Sequence, residues 1–165
     1  MTAFERWQSA NNRYLADAVA GLRARLERFA AATTAGDAAE PSWRQRWFKA
    51  ADAPIAAASA AQVAAVAGDD GADEPTPALV VLARRLQLSD FERDVLLLCA
   101  AMELDTRIAG LCARAQGDAG KPYPTFALAM ALFDRPAWDA MSPERPLRYW
   151  RLLDVHQAAT QPLVG

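Results

Sequence analysis

The sequence is poor in the residues that build metal centres and catalytic sites. It contains one histidine, His156, and two cysteines, Cys99 and Cys112, among 165 residues. Zinc centres need clustered cysteine and histidine ligands, and His156 lies in a polar tail that offers no Ser-His-Asp arrangement. Both cysteines fall within apolar helical patterns. They are therefore predicted to be buried free thiols in a reducing compartment rather than parts of a disulfide framework.

Long apolar runs and a strong net charge are also missing. The most apolar stretch, APIAAASAAQVAAVAG (residues 53–68), is mostly alanine and shorter than the roughly 20 residues of a membrane span. The N-terminal MTAFERWQSANNRY is charged and polar where a signal peptide would be apolar. A net charge of −2 gives no general attraction to nucleic acid or acidic membranes. We therefore expect a cytoplasmic protein that does not enter a membrane.

The sequence also lacks a recognisable phosphate-binding loop. GDAGK (residues 117–121) comes nearest, but its glycines are too close together and Pro122 occupies the position of the hydroxyl residue that would hold magnesium. Asp90, Glu92 and Asp94 are interpreted as charges favoured at a helix start, and not as acid–base catalysts. We therefore expect no enzymatic activity, no catalytic residue, and no cofactor or metal bound by these residues.

The first feature that is present is a long amphipathic helix from Phe4 to about Phe29. At about 1.5 Å per residue it would be on the order of 40 Å long, more than a small compact domain needs. Two arrangements fit such a helix: it packs across its own chain, or it pairs with a second copy in a homo-oligomer. Its apolar residues recur at steps of three and four, and they are Phe4, Trp7, Tyr14, Ala18, Val19, Leu22, Leu26 and Phe29.

A helical linker region is predicted over residues 34–75. WRQRWFKA (residues 43–50) is typical of an amphipathic helix, and its alternating aromatic and basic residues also fit nucleic-acid stacking, although less well. A second, alanine-rich helix is predicted over residues 53–67. GDDGADEPTP (residues 68–77) concentrates glycine, proline and acids, which predicts a solvent-exposed spacer.

The strongest helix signals follow the spacer. Thr76 and Pro77 suit the N-cap and first position of a helix that runs to Leu86. Ser89 and Glu92 have the spacing of a capping box, in which each side chain hydrogen-bonds the other's backbone amide. The helix that they begin, within LSDFERDVLLLCAAMELD, is apolar on nearly every side. It is therefore predicted to be the central helix of the core.

Two more helices and a small sheet are predicted after the central helix. Asp105 and Thr125 are expected to cap the two helices, and AWDAM (residues 137–141) predicts a short helical turn. PLRYWRLLDV (residues 146–155) alternates in the manner of a strand, and QPLVG (residues 161–165) resembles the start of a second strand. A helix over residues 146–155 remains an alternative, because the apolar residues there also fit the helical step.

Three helices followed by strands are the order of a winged-helix domain. The predicted fold is therefore mainly α, with a long N-terminal helix and a winged-helix-like domain whose helical core carries a small β-hairpin wing. The predicted boundaries are residues 1–33 for the long helix, 34–75 for the linker region and 76–165 for the winged-helix-like domain.

A winged helix raises the alternative of a DNA-binding regulator. The predicted recognition helix, residues 125–133, contains no Lys or Arg at all, although phosphate contacts and base contacts depend heavily on these residues. Residues 77–156 contain ten basic and ten acidic residues, which balance. The only candidate DNA-binding patch is formed by Arg145, Arg148 and Arg151. Nucleic acid is therefore not the expected partner.

Three short elements carry a family resemblance: SDFERD (residues 89–94), ELD (103–105) and KPYPT (121–125). Together with the arm ANNRYLADAVAGLRARLERFA (10–30), the stretch from Leu86 to Val155 resembles the N-terminal region of bacterial AAA+ ATPases often encoded with phage-tail-like contractile injection systems. The resemblance implies a ring-forming parent that remodels or assembles protein complexes, with ATP and magnesium bound by a module beyond Gly165. The present chain would be its non-catalytic regulatory or substrate-recruiting region.

The contact surface for a protein partner, or for the parent's own ATPase module, is expected around the loop of residues 117–124 and on the wing. For the aromatic members of this set, core packing is the alternative interpretation. The candidate residues are Lys121, Tyr123, Phe126, Trp138, Arg145, Arg148 and Trp150.

Overall fold

The computed structural model describes residues 2–34 and 75–156. Within these ranges the chain is mainly helical, as predicted. The helices are α1 (Ala3–Thr34), α2 (Ala78–Leu86), α3 (Asp90–Leu104), α4 (Arg107–Gln116), α5 (Phe126–Leu132), a 3₁₀ helix (Trp138–Met141) and α6 (Pro146–Tyr149). The helices predicted within residues 43–67, and residues 68–74 of the spacer predicted over residues 68–77, lie outside the described residues.

The long first helix packs against its own chain. Its 32 residues give a length of about 48 Å. Its C-terminal half buries Val19, Leu22, Leu26 and Ala30, mainly against α4 and also against α3 and α5. The predicted amphipathic helix is confirmed, and packing across the chain is the arrangement that the structure adopts.

The central helix α3 begins with the predicted capping box. The hydroxyl of Ser89 accepts the amide N–H of Glu92 at 3.2 Å, and the Glu92 carboxylate accepts the amide N–H of Ser89 at 2.8 Å. Below this cap the helix buries Phe91, Val95 and Leu98 in the core. Each large side chain buried in this way contributes about 1.5–3 kcal/mol before chain entropy is subtracted.

The start of α2 differs from the prediction. Thr76 is not its N-cap, since that position is occupied by Pro77, whose side chain makes no capping hydrogen bond. The exposed amide N–H of Ala78 donates instead to Oδ1 of Asn11 on α1, at 2.8 Å. Trp7 on α1 adds a bond from its indole N–H to the carbonyl of Thr76 at 3.1 Å. A residue distant in sequence therefore caps this helix, which no local pattern could indicate.

The caps of α4 and α5 agree more closely with the sequence. Thr125 caps α5 as predicted, because its hydroxyl accepts the amide N–H of Leu128 at 3.1 Å. Thr106 occupies the N-cap position of α4, one residue after the predicted Asp105. The Asp105 carboxylate nevertheless accepts the amide N–H of Arg107 at 3.0 Å, and so satisfies one free donor of the first turn.

The strand predicted over residues 146–155 is wrong, and the helical alternative is correct for its first four residues, Pro146–Tyr149. Proline suits the first position of a helix because its missing N–H would be unpaired there. Leu147 is then completely buried against the core. No strand occurs within residues 2–34 and 75–156, so the predicted wing is not seen there; the second predicted strand, residues 161–165, is outside the described part.

Neither cysteine is in a disulfide, and the predicted free thiols are confirmed. Cys112 is buried and Cys99 is half-buried. Burial raises the pKa of the Cys112 thiol to about 11 and also raises that of Cys99, because a low-dielectric surrounding disfavours the thiolate. Both cysteines therefore behave as small apolar residues. In the described ranges, the helices are too short or too polar to cross a membrane.

Candidate functional site

The loop between α4 and α5 is held in place by one glutamine. The side-chain amide N–H₂ of Gln116 donates to the carbonyl oxygens of Cys112, Lys121 and Tyr123, at 3.2, 3.1 and 2.9 Å. Its amide oxygen accepts the hydroxyl of Thr125 at 2.7 Å. Because these bonds reach the end of one helix, the loop and the cap of the next, they give the loop a defined shape.

Two predicted contact residues lie on this loop. The aromatic side chain of Tyr123 is exposed to solvent over 46% of its surface. The ammonium of Lys121 is 3.1 Å from the carboxylate of Asp118 on the same loop. Hydrogen bonds from the amide of Gly120 and from Lys121 lower the pKa of Asp118. Tyr123 is thus available to a partner, whereas Lys121 already has an ionic partner within the loop.

Phe126 and Trp138 form an aromatic row that leads from the core to the surface. Phe126 lies edge-to-face with Phe91 at a centroid distance of 6.1 Å, and with Trp138 at 5.8 Å. Phe91 is buried, Phe126 is half-buried and Trp138 is exposed. This geometry is favourable for aromatic rings. It makes Phe126 mainly a packing residue, and it leaves only the outer part of Trp138 accessible.

Arg145 has a role that the sequence did not indicate. Its guanidinium Nη2 is 2.9 Å from Oε2 of Glu92, a residue with no solvent exposure. The same carboxylate oxygen accepts the amide N–H and the hydroxyl of Ser89, both at 2.8 Å. Arg145 also lies 3.4 Å from the carboxylate of Asp139. The capping box of α3 is therefore extended by an arginine from the segment that leads into α6.

This ion pair is a structural anchor. Its arginine side chain is only 30% exposed and its glutamate is completely buried. Removing one member of a buried pair typically costs about 3–5 kcal/mol, because the other charge is left without compensation. Arg145 is consequently committed to holding α6 against the start of α3. Capping-box spacing indicated the local role of Glu92, but no sequence signal identifies a partner 53 residues away.

The two other candidates near the C-terminal end of the described chain belong to one exposed group. Arg148, Tyr149, Trp150 and Arg151 are consecutive and all exposed, and we call them the α6 surface. The rings of Tyr149 and Trp150 meet edge-to-face at 5.0 Å. The two arginines of the α6 surface have no ion pair with any described residue. Of the predicted contact residues, Arg148 and Trp150 therefore both lie on this exposed segment.

A second ionic junction fixes the start of α4 against α1. The Asp105 carboxylate receives hydrogen bonds from Arg107 at 2.9 Å and from Arg23 on α1 at 2.9 Å. Hydrogen bonds from the Arg107 side chain and backbone, followed by that from Arg23, hold the pKa of Asp105 far below its usual range. Asp105 therefore remains ionised in the folded protein and joins two helices.

A shallow cleft of about 220 Å³ lies where α1 meets the start of α3 and the end of α5. Its three arginines face aspartates within the cleft: Arg25 is 2.7 Å from Asp134, and Arg93 is 3.3 Å from Asp90. Arg135 is also within 3.8 Å of Asp90. The charges of the cleft therefore balance one another in ion pairs, although the side chains of Arg135 and Asp134 remain largely exposed.

The remaining carboxylate of the cleft is Asp94, whose pKa is raised because burial disfavours its charged form, an effect that Arg93 partly offsets. Asp94 nevertheless lies 3.2 Å from Arg93, which accounts for it as an ion-pair partner. No group of three or more potential metal ligands occurs among residues 2–34 and 75–156.

The helix α5, which was predicted to be the recognition helix, turns most of its residues inward. Five of its seven residues are buried: Leu128, Ala129, Met130, Ala131 and Leu132. It contains no Lys or Arg, and the Arg25 side chain of α1 donates to its Leu132 carbonyl at 2.7 Å. A helix that reads DNA must present polar side chains to base edges. The surface of α5 does not provide them.

A comparison with protein-family models matches residues 4–164 of the chain to a winged-helix domain of a variant type. The match includes α1 as well as the helices that follow residue 75. A search of curated proteins found no match. A search of solved structures also found none. Because the match covers almost the entire chain, the protein belongs to this winged-helix domain family.

Proposed function

We propose that this winged-helix protein is a non-catalytic interaction and regulatory domain of a AAA+ ATPase that remodels or assembles protein complexes. The observation that carries the proposal is the inward orientation of α5. A winged helix whose predicted recognition helix, α5, is buried and lacks basic residues is suited to contact with protein rather than with a DNA groove.

The sequence elements that resemble the bacterial AAA+ ATPase family correspond to anchoring contacts in the fold. SDFERD contains the capping box and Glu92, ELD ends in Asp105, and KPYPT forms the loop held by Gln116. These contacts support the resemblance as a likeness of architecture, and the activity of the parent is part of our proposal.

In this proposal the ATPase module follows Gly165 and supplies the residues that bind ATP and magnesium. The present chain contributes no nucleotide ligand and has no enzymatic activity of its own. Its partner is either that module or a protein on which the complex acts, in the bacterial cytoplasm. The parent ATPase would assemble into a ring and would therefore be a homo-oligomer. Contractile injection systems are the setting that the resemblance favours.

The coding sequence beyond Gly165 provides the first test. A Walker A motif, GxxxxGK followed by Ser or Thr, is expected there. The second test compares ATP hydrolysis by the full parent chain with hydrolysis by a chain lacking residues 1–165. Basal hydrolysis should persist without this region, while its response to protein partners should be lost. A coding sequence that continues without the motif would contradict the proposal.

DNA binding is the second candidate function, favoured by the winged-helix family and by Arg148 and Arg151, which form no ion pair within residues 2–34 and 75–156. It predicts that the chain retards random duplex DNA in a gel and that the retardation weakens steeply as salt rises. Absence of retardation at low salt would eliminate this candidate. Salt-sensitive binding that is lost in the Arg148→Glu/Arg151→Glu variant would favour it over the protein-interaction domain.

A further inference from the structure

We propose that the α6 surface docks an acidic peptide segment that carries a large apolar side chain among its carboxylates. The inference rests on the proposed interaction function and names the chemistry of the partner. Four consecutive exposed residues carry it, and each is of a type that dominates the binding energy of protein interfaces: arginine, tyrosine, tryptophan and arginine.

The aromatic pair provides the apolar part of the surface. Tyr149 is 65% exposed and Trp150 is 53% exposed, so both present most of their rings to solvent. Their edge-to-face contact at 5.0 Å joins them into one continuous patch. Adjacent aromatic residues with this exposure favour burial against an apolar side chain, since the contact removes both partners from water.

The backbone that presents these side chains is held firmly. Leu147 has no exposure, and Arg145 fixes the entry to α6 through its ion pair with Glu92. The amide N–H of Trp150 donates to the carbonyl of Pro146 at 3.0 Å, and that of Leu152 donates to Leu147 at 2.9 Å. A surface that is already ordered loses little conformational entropy on binding, which favours affinity.

Arg151 adds a local sign of constraint. Its φ angle is 53°, in the left-handed region that residues other than glycine seldom adopt. The turn that ends α6 thereby places a second arginine on the same exposed segment as Arg148. Strained backbone conformations are concentrated at functional sites, because a site can require a side-chain direction that relaxed backbone would not provide.

Charge determines the chemistry of the partner. Arg148 and Arg151 have no carboxylate within ion-pair distance in the described residues. Glu144 and Asp154 flank the segment in sequence, but Asp154 is 3.8 Å from His156 and neither carboxylate pairs with these arginines. The two guanidinium groups are therefore available to carboxylates of a partner on either side of the aromatic pair.

An acidic peptide fits these observations better than duplex DNA does. A DNA-binding protein of this type neutralises several phosphates at once, commonly about 6–10. The α6 surface offers two cations, and α5 contributes none. Two arginines flanking an apolar patch instead match a peptide in which acidic residues flank a leucine or phenylalanine.

The test uses the intact 165-residue chain and three fluorescein-labelled probes. The first is a short peptide of Asp and Glu around a central Leu-Phe, and the second replaces each acid with Asn or Gln. The third is a random duplex DNA. Fluorescence anisotropy at low salt should show saturable binding of the acidic peptide, about tenfold tighter than binding of the amide peptide.

Two charge-reversal variants locate the binding. Arg148→Glu/Arg151→Glu should weaken binding of the acidic peptide by about tenfold or more. The matched control is Arg85→Glu/Arg114→Glu, which makes the same change of charge at exposed arginines of α2 and α4 and should leave affinity within about twofold. Circular dichroism checks that both variants fold, and Trp150→Ala should weaken binding without unfolding the chain.

Each remaining outcome overturns the inference. These outcomes are no binding of the acidic peptide, equal binding of the amide peptide, equal loss in the two charge-reversal variants, and tighter binding of duplex DNA through Arg148 and Arg151. The last would also contradict the proposed interaction function. If the acidic peptide did not bind but a Walker A motif were found downstream, the proposed docking of an acidic peptide would be wrong. The proposed function would still stand.

Discussion

Arg145 and the α6 surface lie next to each other in sequence, yet their charges have opposite surroundings. The Arg145 guanidinium pairs with a completely buried carboxylate, whereas Arg148 and Arg151 are exposed and have no ionic partner among the residues that the structure describes. The same contrast holds for apolar residues, since Leu147 is fully buried and Trp150 is mostly exposed. One short segment therefore combines an anchor for the fold with a surface that is available for contact.

The largest expected effect is that of Arg145→Ala. It should lower the free energy of unfolding by about 3–5 kcal/mol, because Glu92 would be left charged and buried without its partner. Urea denaturation followed by circular dichroism measures this change. The matched variant Arg148→Ala should have a free energy of unfolding within about 0.5 kcal/mol of that of the unsubstituted chain, since it removes an exposed side chain. Equal losses of unfolding free energy in the two variants would show that Arg145 is no more important to the fold than the exposed Arg148.

Leu147→Ala should have the next largest effect, a loss of about 2–5 kcal/mol of stability from the cavity left in the core. Trp150→Ala is its control on the same turn and should change the unfolding midpoint much less, because the indole is 53% exposed. Thermal denaturation of both variants provides the comparison. A destabilisation by Trp150→Ala as large as that by Leu147→Ala would show that the indole is a core residue.

Ser89→Ala should cost about 1 kcal/mol, the usual value for a lost N-cap. The hydroxyl accepts the Glu92 amide and donates to the Glu92 carboxylate, so its removal weakens the anchor without breaking the ion pair. Ser89→Asn, which can still cap, should recover part of the loss. Urea midpoints measured for both variants decide the point, and failure of asparagine to recover stability would assign the effect to the lost donor.

The smallest effect is expected in the pH dependence of stability at the Asp105 junction. The folded-state pKa of Asp105 is lowered, mainly by hydrogen bonds from Arg107. Its contribution is therefore present above the ordinary aspartate pKa of about 3.9 and is lost as pH falls below it towards the folded-state pKa. Asp105→Asn should flatten the decline in stability below about pH 4.

The matched control for that pH series is Asp17→Asn, which changes an exposed aspartate of α1. Its free energy of unfolding, measured by urea denaturation at successive pH values, should follow that of the unsubstituted chain. If Asp17→Asn flattened the acid limb as much as Asp105→Asn, the effect would belong to total charge. The contacts of Asp105 with Arg23 and Arg107 would then not be its cause.

Local patterns predicted most of the helices because helix signals act over three or four residues. The capping box at Ser89 and the cap at Thr125 are examples, and both depend only on residues of the same turn. The segment from Pro146 failed because ten residues can fit both the strand period and the helical period. Burial of Leu147 against distant helices decided between them.

The candidate contact residues show the same division. Exposure of Tyr123 and Trp150 agrees with the expectation of accessible aromatic residues, whereas Phe126 packs between two other rings. Arg145 was grouped with Arg148 because the two are alike in type and close in sequence. Only the position of Glu92, contributed by another helix, separates their roles.

By itself, the sequence determined that the described chain is mainly helical, where its central helix begins, and that its cysteines are free thiols. These properties follow from short-range hydrogen bonding, apolar periodicity and composition. Tertiary structure alone decided that Asn11 caps α2, that Arg145 completes the cap of α3, and that α5 turns its apolar residues inward. Such contacts join residues far apart in the chain, and their energies depend on burial, which exists only once the helices have packed.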